Sequence, residues 1–150
     1  LENKIAEYDA FLTKQDPAFT VEELEEAMQK VMDQYAGGIG THYQFNEKQL
    51  AMAEEKIKKL QILAKKPAAA DMHELMFIYE LKERLTVCLT VIAHLRARKE
   101  TRWHSFAENL DYPEKSDAWL CYVNSKKNGD QITMIRRDLV KGGETYEHRD

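Results

Sequence analysis

A cluster of basic side chains in the second half of the sequence is the feature most suited to chemistry. It consists of Arg96, Arg98, Lys99 and Arg102. Guanidinium and ammonium groups bind carboxylate and phosphate oxygens, so this basic cluster is a candidate anion site. Cations at the end of a helix also stabilise the helix dipole, and their aliphatic stems cover apolar neighbours. We favour this structural interpretation and keep the anion site as an open alternative.

The other residue types that carry chemistry form no recognisable site. The five histidines lack the i, i+3 or i, i+4 pairing of metal sites: His42, His73, His94, His104 and His148. Gly37-Gly38-Ile39-Gly40 follows a predicted helix, so it is a helix stop rather than a phosphate-binding loop. Cys88 and Cys121 have no CxxC spacing and are interpreted as reduced, buried thiols. The residues therefore predict no catalytic centre, no cofactor site and no metal site within this chain.

A long helix is predicted from residue 71 to residue 99, and the rest of the chain is expected to pack on it. Apolar side chains recur along it at steps of three and four residues: Leu75, Ile78, Leu81, Leu85, Cys88, Ile92 and Leu95. Asp71 is a suitable N-cap, with Glu74 in position to complete a capping box. The basic cluster lies at the carboxyl end of this helix.

Three further helices are predicted, at about 1–12, 20–36 and 46–65. Thr20 with Glu23, and Asn46 with Gln49, have the spacing of capping boxes. Short links between the long helices favour antiparallel packing. The predicted fold is mainly α: an antiparallel three-helix bundle, spectrin-repeat-like, with a short extra amino-terminal helix and a carboxy-terminal β-hairpin.

The region after the long helix changes character. Residues 100–118 have neither a helical nor a strand period, but they contain Trp103, Phe106 and Tyr112. Large aromatic side chains are rare in disordered linkers, so we expect an ordered loop that lies across a surface. Two strand-like runs joined through Asn128-Gly129 then predict a hairpin over residues 119–136. Residues 137–150 are expected to form a frayed, polar tail.

The composition favours one domain that does not bind nucleic acid and has no membrane span. A chain of 150 residues has the size of a single domain, and its net charge of −4 argues against a general nucleic-acid binder. No apolar run reaches the ~18 residues of a membrane span, and the first residues have no signal-peptide core. We therefore expect a cytoplasmic protein. The chain opens with Leu1 rather than Met, which suggests a piece of a longer protein or the remnant of a tag.

Several short motifs, weak singly and specific in combination, resemble one group of proteins. They are Arg98 to Trp103, Asp111-Tyr112-Pro113, Asp117, Trp119 to Ser125, Met32 to Gly38, Tyr43 with 46–48, and His73 to Met76 with 80–82. From about Leu24 to Ser125 the chain resembles the carboxy-terminal region of the fumarate reductase and succinate dehydrogenase flavoprotein superfamily. Within it, the chain is most similar to the adenylylsulfate (APS) reductase alpha subunits. Trp103 favours this sulfur branch, because the succinate and fumarate enzymes tend to have glycine after the preceding arginine. His104-Ser105-Phe106 departs from the Pro-Gly-aromatic run of that branch.

The resemblance implies a parent enzyme that binds FAD and interconverts APS with AMP and sulfite, with electrons from an iron–sulfur beta subunit. It also implies preceding FAD and capping domains in the same polypeptide, which hold the flavin and substrate residues. No position of this chain matches those motifs, so no catalytic residue is carried over, and the chain alone is expected to be inactive.

We expect this chain to contribute a structural, interdomain contact. Its residues would come from the basic cluster and the aromatic loop: Arg98, Arg102, Trp103, Phe106, Tyr112 and Trp119. A fumarate reductase or succinate dehydrogenase-type tail, and an independent helical interaction module, remain the alternatives.

Overall fold

The structure, a computed structural model, describes residues 1–14, 17–129 and 131–140. The helices are α1 Glu2–Leu12, α2 Val21–Tyr35, α3 Glu47–Leu63 and α4 Met72–Ala97. The strands are β1 Gln44–Phe45, β2 Glu108–Asn109, β3 Cys121–Asn128 and β4 Gln131–Asp138. Short 3₁₀ turns occupy Ile39–Thr41 and Asp117–Trp119. The predicted helical bundle with a carboxy-terminal hairpin is confirmed.

The starts of two helices are capped as their sequences predict. Thr20 Oγ1 accepts from the Glu23 amide at 3.1 Å, and the Glu23 carboxylate accepts from the Thr20 amide at 3.0 Å. Asn46 and Gln49 make the same reciprocal pair at 2.9 and 3.1 Å. These bonds satisfy amide groups that have no partner within the helix. Each box therefore fixes the residue at which its helix begins.

The start of α4 is capped differently from the expectation. Asp71 accepts from the amides of His73 and Glu74 at 2.8 and 2.9 Å, as a cap should. The Glu74 carboxylate, however, accepts from the Ala70 amide at 2.8 Å rather than from Asp71. The capping box is therefore incomplete, and Glu74 instead holds the residue that precedes the cap.

The core forms around α4, whose predicted apolar stripe faces the other helices. Its larger part joins Leu81, Leu85 and Ile92 to buried side chains of α2 and α3: Leu24, Met28, Leu50, Ala53 and Ile57. A smaller cluster joins Leu75 and Ile78 to Phe11 of α1, so α1 packs near the amino end of α4. Cys88 is a free thiol that is half-buried, not fully buried as predicted, because it lies at the edge of the stripe.

The hairpin lies two residues later in the sequence than predicted. β3 and β4 pair antiparallel with Asn128 opposite Gln131, and Gly129 enters the turn with φ +60°, a conformation that favours glycine. The hairpin packs on α4 through alternate positions that are half-buried: Cys121, Val123, Ile132 and Met134. The thiol of Cys121 is free and likewise only half-buried.

The helix ends and the connecting segments also refine the prediction. α3 ends at Leu63 rather than at residue 65, and α4 ends at Ala97 because the backbone of Arg98 is extended. The expected loop contains β2, which pairs in parallel with β1. α1 ends at Leu12, as predicted. The tail predicted from residue 137 is wrong for Arg137 and Asp138, which belong to β4, and its residues 141–150 lie outside the described residues.

Replacing a core residue of α4 tests the packing. Leu85 is completely buried, so Leu85→Ala leaves a cavity and should lower the free energy of unfolding by about 3 kcal/mol. Urea unfolding followed by circular dichroism measures the change. Ile62→Ala is the matched control, because Ile62 is 61% exposed, and its effect should stay within about 0.5 kcal/mol. Equal losses for the two variants would contradict the assigned core.

Candidate functional site: a loop anchored on Glu100

A buried carboxylate lies at the junction of α4 and the loop. The side chain of Glu100 is completely inaccessible to solvent. Arg98 Nη1 donates to its Oε1 at 2.6 Å, while Arg102 donates to both oxygens, at 2.9 Å from Nε and 2.8 Å from Nη2. The amide of Ser116 donates to Oε2 at 3.0 Å. Glu100 is thus enclosed by donors from both ends of the loop.

The environment of Glu100 keeps this carboxyl group ionised. Burial on its own would raise its pKa, because a charge is poorly solvated away from water. The hydrogen bonds from Arg102, the Ser116 amide and Arg98 outweigh burial and lower the pKa to about 2. At neutral pH Glu100 is therefore an anionic anchor, not a proton donor.

Arg98 and Arg102 also donate hydrogen bonds to residues further along the chain. Arg98 also donates to the carbonyl oxygens of Trp119 and Cys121, at 2.9 and 3.1 Å. Arg102 donates to the carbonyl oxygen of Ser116 at 3.2 Å. The guanidinium groups therefore tie the end of the loop and the start of β3 to the end of α4.

A second pair of buried polar residues closes the loop on itself. Thr101 Oγ1 accepts from the amide of Asn109 and donates to the carbonyl of Tyr112, both at 2.9 Å. The amide of Leu110 donates to the carbonyl of Phe45 at 2.8 Å, which continues the β1–β2 pairing. Backbone and side-chain bonds thus hold the loop from within and from the segment before α3.

The basic cluster is divided between two surfaces. Arg96 pairs with Glu47 and Glu54 of α3, and Lys99 lies 3.8 Å from Glu47. Arg98 and Arg102 turn the other way, toward Glu100. Every cation of the cluster thus has a carboxylate of this chain within ion-pair distance, which supports the structural interpretation over an anion site.

The predicted contact residues form two groups, one in contact with charged groups of this chain and one exposed to solvent. Arg98 and Arg102 lie around Glu100, and the half-buried ring of Trp119 lies 5.8 Å from the Arg98 guanidinium and 4.3 Å from that of Arg136. The exposed group consists of Trp103, Phe106 and Tyr112, at 70%, 74% and 42% exposure. Their side chains project from a loop whose backbone is fixed.

Sequence reasoning missed the buried polar residues Glu100, Thr101 and Asn109. One signal for Glu100 was present, because Arg98, Glu100 and Arg102 alternate just after the helix. In an extended segment such alternate side chains share one face, so a carboxylate between two arginines predicts mutual pairing. Thr101 and Asn109 carry no comparable pattern.

A cleft of about 240 Å³ lies between the end of α4, the loop and β3. Its apolar wall includes Phe45, Leu95, Trp103 and Val123, and its polar wall is the Glu100 group. Pockets that hold small-molecule ligands are usually about 300–1,000 Å³. The volume of this cleft lies below that range.

Comparison with known proteins identifies what the chain is similar to. A family described as fumarate reductase flavoprotein C-term matches residues 25–144. The adenylylsulfate reductase subunit alpha of Megalodesulfovibrio gigas is 34% identical over 98 residues, which are 65% of this chain and 15% of that protein.

Solved structures agree over almost the entire chain. The adenylylsulfate reductase of the hyperthermophile Archaeoglobus fulgidus has a TM-score of 0.84 and 32% identity, over 97% of this chain and 25% of its own. An adenosine-5-phosphosulfate reductase in complex with sulfite has a TM-score of 0.82 and 34% identity, over 95% and 24%. The E. coli quinol fumarate reductase, at 18% identity and a TM-score of 0.75 over 97% and 26%, shares the fold. The chain spans between 15% and 26% of the length of these relatives.

Removing the charge of Glu100 should destabilise the loop. Glu100→Gln leaves two arginines without their carboxylate, so we expect the free energy of unfolding at pH 7 to fall by about 2 kcal/mol. Urea unfolding measures this loss. Glu114→Gln is the matched control, because Glu114 is an exposed carboxylate of the same loop. An equal loss of unfolding free energy in the control would show that Glu100 stabilises the loop no more than an exposed carboxylate does.

The contribution of Glu100 should also depend on pH. Its pKa is about 2 in the fold and 4.5 ordinarily, so its contribution is complete above about pH 5. It should then decrease as the pH falls from 4.5 toward 2. The stability difference between the native chain and Glu100→Gln, measured across this range, isolates Glu100 from other carboxylates. A difference that stays constant down to pH 2 would contradict the assigned pKa.

Proposed function

Because the chain belongs to the fumarate reductase flavoprotein C-terminal family, we propose that it is the carboxy-terminal helical domain of an adenylylsulfate reductase alpha subunit. The observation that carries this proposal is the agreement with the Archaeoglobus fulgidus enzyme, at 32% identity over 97% of the chain. Three quarters of that enzyme's polypeptide has no counterpart here. The chain is thus one domain of a longer flavoprotein.

The proposed parent enzyme reduces APS to AMP and sulfite, or catalyses the reverse reaction. FAD would carry the electrons and would lie in preceding FAD and capping domains. An iron–sulfur beta subunit would supply the electrons, and the enzyme would work in the cytoplasm. The support for this reaction comes from the adenylylsulfate reductases that the chain resembles. Among the described helices, none is long and apolar enough to span a membrane.

The part of the chain that the structure describes offers no pocket of the size that a flavin needs. The Glu100 cleft is smaller than a cofactor pocket. FAD therefore belongs to other parts of the proposed polypeptide, and the role of this chain is structural.

In this role the exposed aromatic loop contacts the preceding domains. Trp103 and Phe106 are 70% and 74% exposed on a backbone that is held by Glu100 and by the β1–β2 pair. Large aromatic side chains on a rigid support lose little conformational entropy when a partner covers them. They are therefore well suited to anchor one domain on another.

A fumarate reductase-type tail is the second candidate, and the family description favours it. The identity of 18% with the E. coli quinol fumarate reductase supports only a common fold. The identities of 32% and 34% with two adenylylsulfate reductases favour the sulfur enzyme.

The size of the native polypeptide tests the proposal directly. An antibody raised against this chain should detect a band several times larger than 17.5 kDa in extract of the source cells. That band should migrate together with flavin fluorescence. A native band of 17.5 kDa would favour the independent interaction module.

Removing the exposed aromatics should weaken the interdomain contact. In the full-length flavoprotein, Trp103→Ser with Phe106→Ser should raise the rate at which a protease separates this domain by about tenfold. Ile39→Ser is the control, because Ile39 is 75% exposed but lies outside the loop. Unchanged proteolysis in the double variant would show that the loop is not the contact.

A further inference from the structure

Helix α4 carries large apolar residues on two opposite sides. One side is the core stripe, which includes Leu81, Leu85 and Ile92. The other side carries large apolar residues that remain exposed: Met72 at 64%, Met76 at 47%, Val87 at 60% and Val91 at 41%. A helix at the surface of a bundle ordinarily has a single apolar stripe, with polar residues opposite it.

The exposed residues lie on one side of α4 in two pairs, Met72 with Met76 and Val87 with Val91, and Glu80 and Glu83 lie between the pairs. Successive positions on a helix differ by about 100°, so Met72, Met76, Val87 and Val91 fall within about 100° of one another and opposite the core stripe. At ~1.5 Å per residue the stripe is about 28 Å long. We call these four residues the outer stripe.

We propose that the outer stripe of α4 is a second docking surface, covered in the native protein by the preceding portion of the same polypeptide. This inference rests on the proposed function. Besides the contact through the aromatic loop, it adds a second contact along α4 from Met72 to Val91. α4 then lies between two layers, with the bundle on one side and a preceding domain on the other.

The length of the relatives supports this occupant. The described fold fills only 25% of the chain of the Archaeoglobus fulgidus enzyme, so most of such a polypeptide is available to cover it. An intramolecular partner is also favoured by its high effective concentration. The distance of about 28 Å from Met72 to Val91 matches one helix of about 19 residues.

The carboxylate of Glu83 indicates the chemistry of the segment that would cover the outer stripe. Glu83 lies on the same side of α4 as Met76 and Val87, and within the described residues it has no ion-pair partner. Glu80, in contrast, is paired with Arg84 at 3.4 Å. Covering Glu83 without a partner would cost free energy. The covering segment should therefore be apolar with a lysine or arginine opposite Glu83.

Methionine oxidation tests the coverage without any substitution. In the full-length flavoprotein, peroxide should oxidise Met72 and Met76 about tenfold more slowly than in the same polypeptide unfolded in guanidinium. Peptide mass spectrometry measures both rates. Rates close to those of the unfolded polypeptide would overturn the proposal.

Substitutions in the full-length flavoprotein provide a second readout. Val87→Glu should raise the rate of proteolytic separation of this domain by about tenfold, because it places a charge in a covered apolar surface. Glu83→Lys should act in the same direction by opposing the basic residue of the partner. Ile62→Glu is the matched control, because Ile62 of α3 is 61% exposed, as Val87 is at 60%. Equal effects of Val87→Glu and Ile62→Glu would overturn the proposal.

The results separate this inference from the proposed function. A native polypeptide of 17.5 kDa would overturn both. A long flavoprotein with readily oxidised Met72 and Met76 would overturn only the docking surface. Protection that disappears on dilution, or on deletion of residues 141–150, would assign the stripe to a second copy or to the end of the chain, and would also overturn it.

Discussion

A carboxylate without access to water needs donors around it, and this requirement at Glu100 determines how the second half of the chain is arranged. The donors come from Arg98 at the end of α4, from Arg102 in the loop and from the Ser116 amide near the end of the loop. Removing any one of them would leave part of a buried charge uncompensated. The loop, the end of the helix and the start of the hairpin are therefore fixed as one unit.

This arrangement explains how exposed aromatic residues can lie on an ordered loop. Buried bonds to Thr101 and Asn109, together with the pairing of β1 and β2, hold the backbone, so the stability of the loop does not depend on burying Trp103 or Phe106. The outer stripe of α4 is a similar case, since the core residues of this helix lie on its opposite side. Both surfaces are apolar, and both are supported by contacts of other residues. They are thus preorganised for a partner.

The helices could be predicted from the sequence because their signals lie within a few residues. The apolar period of α4 and the boxes of Thr20 and Asn46 need no knowledge of distant contacts. The loop could not be predicted in the same way. Glu100 meets Ser116, and Leu110 meets Phe45, through partners far apart in the sequence, and such pairings leave no period. The hairpin was found but placed two residues early, because its aromatic start, Trp119, is held by arginines in a 3₁₀ turn instead of a strand.

The residue that distinguishes the sulfur branch in the resemblance, Trp103, lies on the exposed side of the loop. Its ring is 70% exposed and borders the Glu100 cleft. The glycine that the succinate and fumarate enzymes tend to have there would present no side chain to a partner. The neighbouring Arg102 and Glu100 instead hold the loop from inside. The side chain at position 103 can therefore change without removing the internal support of the loop.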